Sequence, residues 1–169
     1  MQLTGKQIIE QGIIFGECKD GIQQQGVDVR LTKVFRVRDN NTGYVPIKGK
    51  TVIPKSIEVT PFMNNDGSYR FDLTPGYYEV EFEEGCEMPK DCAMYFKTRS
   101  SLVRCGAEII SGQFDGGFET EHMGAFLNVR IPITIDVGAR VAQAIVTETY
   151  PVDIRDMYDG QWQNDKQRK

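Results

Sequence analysis

The sequence predicts a mainly β domain with a short helix at its amino terminus. Apolar and polar side chains alternate along residues 27–37, and further short runs of this kind recur at intervals of roughly ten residues. Turn-forming glycine, proline and asparagine residues separate the runs. Short strands at this spacing are typical of a β-barrel or a β-sandwich, so we expect one of these architectures.

The helix and the strands follow from local signals. Thr4 and Gln7 form the pattern of a capping box, which predicts a helix over residues 5–11 that ends at Gly12. A cluster of asparagine, aspartate and glycine at residues 64–68 predicts a tight hairpin. The predicted strands are 27–37, 51–53, 57–62, 69–73, 77–82, 92–97, 108–110, 123–129, 133–135 and 140–147, with a polar loop over 83–91 between the fifth and the sixth.

Length and charge limit the range of functions. We expect residues 1–169 to form a single domain, in which residues 1–13 carry the helix and residues 149–169 form a carboxy-terminal arm. The arm contains Trp162, which a tail that only has to be solvated does not need. A nucleic-acid polymer is a poor candidate partner, because 20 Lys and Arg face 24 Asp and Glu and the net charge is -4.

Compartment signals point to the cytoplasm. The sequence has no signal-peptide pattern at its start, and no apolar run approaches the roughly 20 residues needed to span a bilayer, so no membrane partner is expected. The four cysteines show no Cys-x-x-Cys spacing and there is one histidine, so no zinc cluster is predicted. Free thiols fit a reducing compartment, and we expect a soluble cytoplasmic protein.

Two short segments predict phosphate chemistry. Arg99, Ser100 and Ser101 follow a predicted strand and open a short helical turn, so a guanidinium, two hydroxyls and backbone N–H groups can converge on one phosphate. Asp115 lies in a glycine-flanked turn, where the backbone can approach a ligand closely. The simpler interpretations are a helix N-cap beside a surface arginine, and an ordinary Asp-Gly turn.

Five segments occur in the order found in the dUTPase and dCTP deaminase superfamily. The run Arg-Ser-Ser-Leu-Val-Arg, which ends at Arg104, resembles the most specific motif of that superfamily. The other segments that resemble superfamily motifs are 25–31, 114–118, 138–143 and 158–163. The resemblance covers most of the chain and implies a distorted jelly-roll or β-clip barrel of the dUTPase-like type. It also implies a homotrimer with active sites between subunits, and the amino-terminal helix resembles the deaminase-like branch.

The resemblance also implies a reaction. A dUTP diphosphatase of this type hydrolyses dUTP at the α-phosphorus to dUMP and pyrophosphate, with Mg²⁺ bridging the phosphates. Asp115 would activate the attacking water, while Asp28 fits either a position that reaches Mg²⁺ through water or an ordinary strand carboxylate. No side chain is expected to bind the metal directly. Members that deaminate dCTP carry a glutamate ten residues after the aspartate, and this sequence has Ala125 there, which cannot move a proton.

Several side chains are implied to bind the nucleotide. Phe118 would pack against the deoxyribose and exclude ribonucleotides by shape, or is simply a core residue. Gln143 fits a contact to a phosphate oxygen or a hydrogen bond at a subunit interface, and Arg140 fits the same region or a structural pair with a carboxylate below the site. The implied substrate-binding residues are Arg99, Ser100, Ser101, Arg104, Phe118, Gln143, Tyr158, Trp162 and Gln163.

The base-binding segment and the arm complete the expected site. Backbone groups of a hairpin over residues 110–118 are expected to recognise uracil. Tyr158, Trp162 and Gln163 would close over the bound nucleotide and exclude water, or pack as a strap on a neighbouring subunit.

Three functions stay open at this point. The first is the dUTP diphosphatase. The second is a dCTP deaminase or a bifunctional enzyme, in which a displaced glutamate such as Glu121 serves as the base. The third is a non-catalytic nucleotide-binding regulatory protein, for which the hints are a shortened arm and Thr120, where the superfamily usually has glycine.

Overall fold

The computed structural model describes residues 1–38, 42–158 and 160. Its helices are α1 (Gly5–Glu10) and α2 (Ser100–Arg104), and 3₁₀ turns lie at Lys19–Gly21 and Ile154–Asp156. The strands are β1 (Ile14–Phe15), β2 (Ile22–Gln23), β3 (Gly26–Val37), β4 (Ser56–Glu58), β5 (Phe62–Met63), β6 (Tyr69–Leu73), β7 (Gly76–Phe82), β8 (Gly85–Glu87), β9 (Cys92–Thr98), β10 (Ala107–Ile110), β11 (Glu119–Thr120), β12 (Gly124–Val129), β13 (Ile133–Asp136) and β14 (Arg140–Glu148). Within this part of the chain, no helix has the length and apolar character needed to cross a membrane.

Most strands join one antiparallel sheet that curves into a nearly closed barrel, which confirms the predicted fold class. The strand order is β10-β12-β7-β3-β14-β9, and β2 and β4 pair with β3. Thr98 closes the gap between the two edge strands, because its hydroxyl donates to the Ile109 carbonyl and accepts the Ile109 N–H, both at 3.0 Å. Two smaller sheets, β1-β8-β11 and β13-β6-β5, cover other parts of the barrel surface.

Strand β3 lies at the centre of the barrel sheet. It pairs with β7 on one side and β14 on the other, and its first four residues are all buried. Strands β9 and β12 instead alternate buried and exposed residues, as expected when one face packs on the core and the other faces outward. The core is formed by large apolar side chains that include Leu31, Phe71, Tyr78, Phe82, Met94 and Leu127.

The amino-terminal helix matches the predicted capping box. The Thr4 hydroxyl accepts the Gln7 N–H at 3.3 Å, and the Gln7 side chain accepts the Thr4 N–H at 3.0 Å. Ile8 is fully buried whereas Ile9 packs against the core only in part. Helix α1 therefore packs on the core mainly through Ile8, with a smaller contribution from Ile9.

Three predicted elements differ from the structure. Residues 51–53 form no strand beyond one bridge between Val52 and Tyr44, and residues 57–62 divide into β4 and β5. Proline explains both differences, because Pro54 and Pro61 have no N–H to donate to a ladder. The predicted polar loop 83–91 contains β8, which pairs with β1 and β11.

Candidate functional site

A buried carboxylate between two arginines forms the first part of the candidate site. Asp28 lies on β3 opposite Gln143 of β14, and only 3% of it is exposed. The Arg99 Nη1 donates to Asp28 Oδ2 at 2.7 Å, and the Arg140 Nη1 lies 3.6 Å from the same oxygen. We call Asp28, Arg99, Arg140 and Gln143 the arginine cluster. One carboxylate faces two guanidiniums there, so the cluster keeps a net positive charge.

The surroundings of Asp28 have opposing effects on the pKa of its carboxyl. Burial raises the pKa of the Asp28 carboxyl, while the two guanidiniums and a hydrogen bond from Gln143 oppose this change. Arg140 therefore forms the ion pair with a carboxylate that was one of its two sequence-based interpretations. The Gln143 side chain forms a hydrogen bond with Asp28 within this chain. Its contact to a phosphate oxygen or across a subunit interface stays a prediction.

Helix α2 presents the Arg-Ser-Ser motif beside this cluster. Arg99 is the N-cap residue, with extended backbone angles (φ -66°, ψ 140°), and its N–H donates to the Val141 carbonyl at 3.1 Å. Ser100 and Ser101 occupy the first turn and are exposed. The Arg99 side chain does not form an N-cap hydrogen bond with the helix backbone. Leu102 is the buried residue that anchors the helix. Arg104 lies exposed in the last turn, so Ser100, Ser101 and Arg104 face solvent, whereas the Arg99 guanidinium contacts the buried Asp28.

Asp115 occupies a turn at the other end of β9. Phe114 pairs with Met94 through two backbone hydrogen bonds of 2.7 and 3.0 Å, and the Asp115 carbonyl accepts the Phe118 N–H at 3.1 Å. The Asp115 side chain is exposed, and the Gln113 amide donates to its Oδ1 at 2.7 Å. This contact leaves Oδ2 available to a ligand or a water molecule.

Glycine allows the Asp115 turn to sit against the rest of the chain. At Gly116 a Cβ would come 3.0 Å from the Lys90 Cα, and at Gly117 it would come 2.9 Å from Met157. Gly117 also has a φ of 90°, which favours glycine. The backbone of the turn is therefore fixed between the segment that carries Lys90 and the carboxy-terminal arm.

A cavity of about 420 Å³ opens beside this turn. The arm forms one wall, because the Val152 N–H donates to the Lys90 carbonyl at 3.0 Å and the Tyr158 N–H donates to the Gly116 carbonyl at 2.9 Å. The lining residues are Lys90, Cys92, Ala93, Gln113, Asp115, Gly116, Thr149, Tyr150, Val152, Asp156 and Tyr158. We call this space the Asp115 cavity.

Phe118 and Tyr158 continue a row of aromatic rings from the core towards the cavity. The Phe118 ring meets Phe114 edge-on at a centroid distance of 5.1 Å, and it meets Tyr158 at 5.4 Å. Phe118 is half-buried, so both of its sequence-based interpretations fit its position. Trp162 and Gln163 lie outside the described residues.

Within one chain, the arginine cluster and the Asp115 cavity are separate. Phe114 is fixed to Met94, and Arg99 lies five positions further along the same extended segment. At about 3.3 Å per residue, the backbone positions of Met94 and Arg99 are about 16 Å apart. The two regions therefore lie at different ends of β9 in one chain.

The position of the deaminase glutamate is apolar and buried. Ala125 is 8% exposed and lies in β12 among side chains that face the barrel interior. Glu121 is exposed at the bend before that strand. The expected hairpin over residues 110–118 is wrong, because β10 pairs with β12 and the residues after it form a loop with the single bridge at Phe114.

Sequence reasoning missed two polar contacts. Gln113, which holds Asp115, could have been found from its place in the same glycine-flanked turn. Glu84 is completely buried and accepts from the Arg30 Nη1 at 2.7 Å and the Arg30 N–H at 2.8 Å. Burial raises the pKa of the Glu84 carboxyl, and the bonds from Arg30 oppose this. Nothing in the local sequence distinguishes Glu84 from the half-buried Glu83 or the exposed Glu87.

The described residues form no evident metal site. Among them, no group of three or more histidine, cysteine, aspartate or glutamate side chains comes close enough to hold a metal ion. The Asp28 carboxylate is already in contact with Arg99. In this chain alone, Asp28 is therefore better described as a partner of arginine than as a metal ligand.

Comparison with known proteins relates these features to a family. The model of a family described as dCTP deaminase-like matches residues 3–149. The chain is 31% identical over 145 residues to the deoxyuridine 5'-triphosphate nucleotidohydrolase of Methanocaldococcus jannaschii, covering 84% of this chain and 86% of that relative. It is also 31% identical over 148 residues to the probable deoxyuridine 5'-triphosphate nucleotidohydrolase of Halobacterium salinarum, covering 87% and 86%.

A solved structure shows the same fold. The chain superposes on the crystal structure of 2'-deoxycytidine 5'-triphosphate deaminase from Agrobacterium tumefaciens with a TM-score of 0.63 and 19% identity. The match covers 86% of this chain, which spans 47% of the length of the deaminase chain. The superfamily resemblance carried by the five motifs is confirmed. The chain belongs to the dCTP deaminase-like family.

Proposed function

We propose that this chain is a dUTP diphosphatase, which hydrolyses dUTP at the α-phosphorus to dUMP and pyrophosphate. The observation that carries the proposal is an exposed Asp115 beside a cavity, in a chain whose deaminase position is the buried Ala125. The two archaeal relatives are named for this activity, and the match covers more than four-fifths of the length of each. Both points support the proposal. We also propose that residues 1–169 act as one domain.

Asp115 is assigned as the general base in this proposal. Its Oδ1 accepts from Gln113 and its Oδ2 takes a proton from water, so the hydroxide that forms attacks the α-phosphorus. The bond from that phosphorus to the bridging oxygen breaks, and pyrophosphate leaves with the bonding electrons. Gln113 acts as a positioning residue, since it restricts the carboxylate to one orientation.

The active site is proposed to form between two subunits of a homotrimer. The position of Arg99 and the Asp115 turn at different ends of β9, with about 16 Å between the backbones of Met94 and Arg99, supports an arrangement in which neighbouring subunits supply them. Arg99, Ser100, Ser101 and Arg104 of one subunit grip the β- and γ-phosphates by charge-assisted hydrogen bonds, and Asp115 of its neighbour faces the α-phosphorus. Asp28, Arg140 and Gln143 hold Arg99 in place beneath them.

Magnesium has a limited part in this scheme. Mg²⁺ would be bound by the phosphates of the nucleotide and would neutralise part of their charge, and no side chain of this chain is assigned to it directly. Asp28 as a contact through water stays a prediction, and its bond to Arg99 argues against it.

Phe118 and the arm are assigned to the sugar side of the nucleotide. The half-buried Phe118 ring lies next to the Asp115 turn, where it can pack against a deoxyribose and leave no room for a 2'-hydroxyl. Tyr158 covers the same turn, which supports the role of the arm as a cover that excludes water. Trp162 and Gln163 keep their predicted roles in that cover.

One assay tests the proposal against its alternatives. The protein is incubated with Mg²⁺ and either dUTP or dCTP, and pyrophosphate and ammonia are measured. We expect pyrophosphate from dUTP and no ammonia from dCTP. Ammonia from dCTP would establish the deaminase or bifunctional alternative, and neither product would favour the regulatory protein. The Asp115→Asn variant should lose turnover yet still bind a non-hydrolysable dUTP analogue, and turnover in this variant would remove Asp115 from its role.

A further inference from the structure

Lys90 is a cation in the Asp115 cavity to which no role has been assigned so far. It lines the cavity together with Asp115 and Asp156, and it is the one lysine or arginine among the described lining residues. Among the described residues, its ammonium forms no ion pair with a carboxylate. The ammonium is therefore available to an anion that enters the cavity.

The backbone of Lys90 is fixed relative to Asp115 by contacts on two sides. Gly116 lies so close that a Cβ there would come 3.0 Å from the Lys90 Cα and 3.1 Å from the Pro89 carbonyl oxygen. On the other side, the Lys90 carbonyl accepts the Val152 N–H of the arm at 3.0 Å. The backbones of Lys90 and the Asp115 turn are thus fixed to each other, and both residues line the same cavity.

The charges of the cavity lining indicate a role for Lys90. Without Lys90, the ionisable side chains of the described lining would be dominated by the two carboxylates of Asp115 and Asp156. Two carboxylates repel a phosphate, and this repulsion acts strongly over the short distances within one cavity. A lysine beside them offsets this repulsion at the point where an anionic group has to approach Asp115.

We propose that the Lys90 ammonium binds the α-phosphate of the nucleotide in the Asp115 cavity. This inference rests on the proposed function, which brings the α-phosphorus to Asp115 and leaves the β- and γ-phosphates to Arg99, Ser100, Ser101 and Arg104 of the neighbouring subunit. Lys90 then lies across the α-phosphate from Asp115, the general base. It stabilises the negative charge that develops on the α-phosphate oxygens as the water attacks. It is assigned as a catalytic residue because it contacts the reacting group.

Three ligands that carry different parts of the substrate test this assignment. dUMP carries the α-phosphate alone, deoxyuridine carries no phosphate, and pyrophosphate corresponds to the β- and γ-phosphates, which are assigned to residues 99–104 of the neighbouring subunit. Their affinities are measured by isothermal titration calorimetry with the whole protein and with its Lys90→Met and Lys90→Arg variants. We expect Lys90→Met to weaken dUMP binding by about 10- to 100-fold, the range for loss of a charge-assisted hydrogen bond. Deoxyuridine and pyrophosphate should bind as before, and Lys90→Arg should retain most of the dUMP affinity.

Lys6→Met provides a matched control, because Lys6 is an exposed lysine on helix α1. It should change none of the three affinities. The inference is overturned if Lys90→Met binds dUMP within about twofold of the parent protein, the scatter expected of a surface change. It is also overturned if deoxyuridine affinity falls as much as dUMP affinity, since Lys90 would then act on the shape of the cavity.

The steady-state rates separate this inference from the proposed function. If the parent protein hydrolyses dUTP and Lys90→Met does so equally well, only the role of Lys90 fails. If the parent protein releases no pyrophosphate from dUTP, the proposed function fails, whatever the dUMP titrations give.

Discussion

Replacing Asp28 with alanine tests the structural basis of the arginine cluster. The carboxylate is 3% exposed and accepts from Arg99 at 2.7 Å, with Arg140 at 3.6 Å from the same oxygen. Its removal leaves two guanidiniums facing each other without the anion between them. We therefore expect the variant to unfold at a lower temperature and a lower denaturant concentration.

The size of the loss follows from burial. Removing one partner of a fully buried ion pair costs about 3–5 kcal/mol. The side chains of Arg99 and Arg140 are 31% and 39% exposed, so water replaces part of what Asp28 supplies. Arg140 also keeps its bond to the Asp20 carbonyl at 2.7 Å. These considerations reduce the expected loss to about 2–3 kcal/mol, which corresponds to a fall in Tm of about 5–10 °C.

Urea unfolding followed by circular dichroism measures this free energy, with and without Mg²⁺. Asp72→Ala is the matched control, because Asp72 also pairs with an arginine, Arg70 at 3.2 Å, but its side chain is 50% exposed. The control should change stability much less. A decrease of less than about 1 kcal/mol in the free energy of unfolding of Asp28→Ala would show that the Asp28 ion pairs contribute little to stability. A loss that appears only with Mg²⁺ present would also contradict the prediction, since Asp28 would then act through the metal.

Two further predictions concern the barrel interior and the thiols. Ala125→Glu should destabilise the protein by about 3 kcal/mol or more, since it places a carboxylate at a buried position, and it should yield no ammonia from dCTP; ammonia production would show that one residue separates this chain from a deaminase. In the folded protein at pH 8, a maleimide should label the exposed Cys105 and leave Cys18, because burial raises the pKa of the Cys18 thiol to about 11. Labelling of Cys18 should increase only as the pH rises towards that value or when the protein unfolds, and rapid labelling at pH 8 would contradict its burial.

Local signals were sufficient for the elements whose residues interact with sequence neighbours. Thr4 and Gln7 predicted the start of helix α1, and alternation predicted β6, β9 and β12 to within one or two residues. Local signals failed where the pairing partner is distant. Strand β8 consists of three residues in a polar stretch, and it exists because β1 and β11 lie on either side of it.

The candidate site shows the same limit. The motif residues Arg99 and Asp115 were identified from sequence, because their types and neighbours are distinctive. Their separation within one chain depends on the register of β9 with the loop at Phe114, which no local pattern encodes. Asp28 was expected to be an ordinary strand carboxylate or to reach Mg²⁺ through water, and its contact in the structure is an arginine that is 71 positions away.

Under the proposed function, each active site combines Asp115 of one subunit with Arg99 of its neighbour. Two variants test it, Asp115→Asn and Arg99→Gln, the second of which keeps a hydrogen-bond donor for Asp28. Each variant alone should release almost no pyrophosphate from dUTP. When equal amounts are unfolded together and refolded as mixed trimers, about one quarter of the sites should contain both intact residues and the activity should return to that extent. Mixed trimers that stay as inactive as the separate variants would contradict the claim.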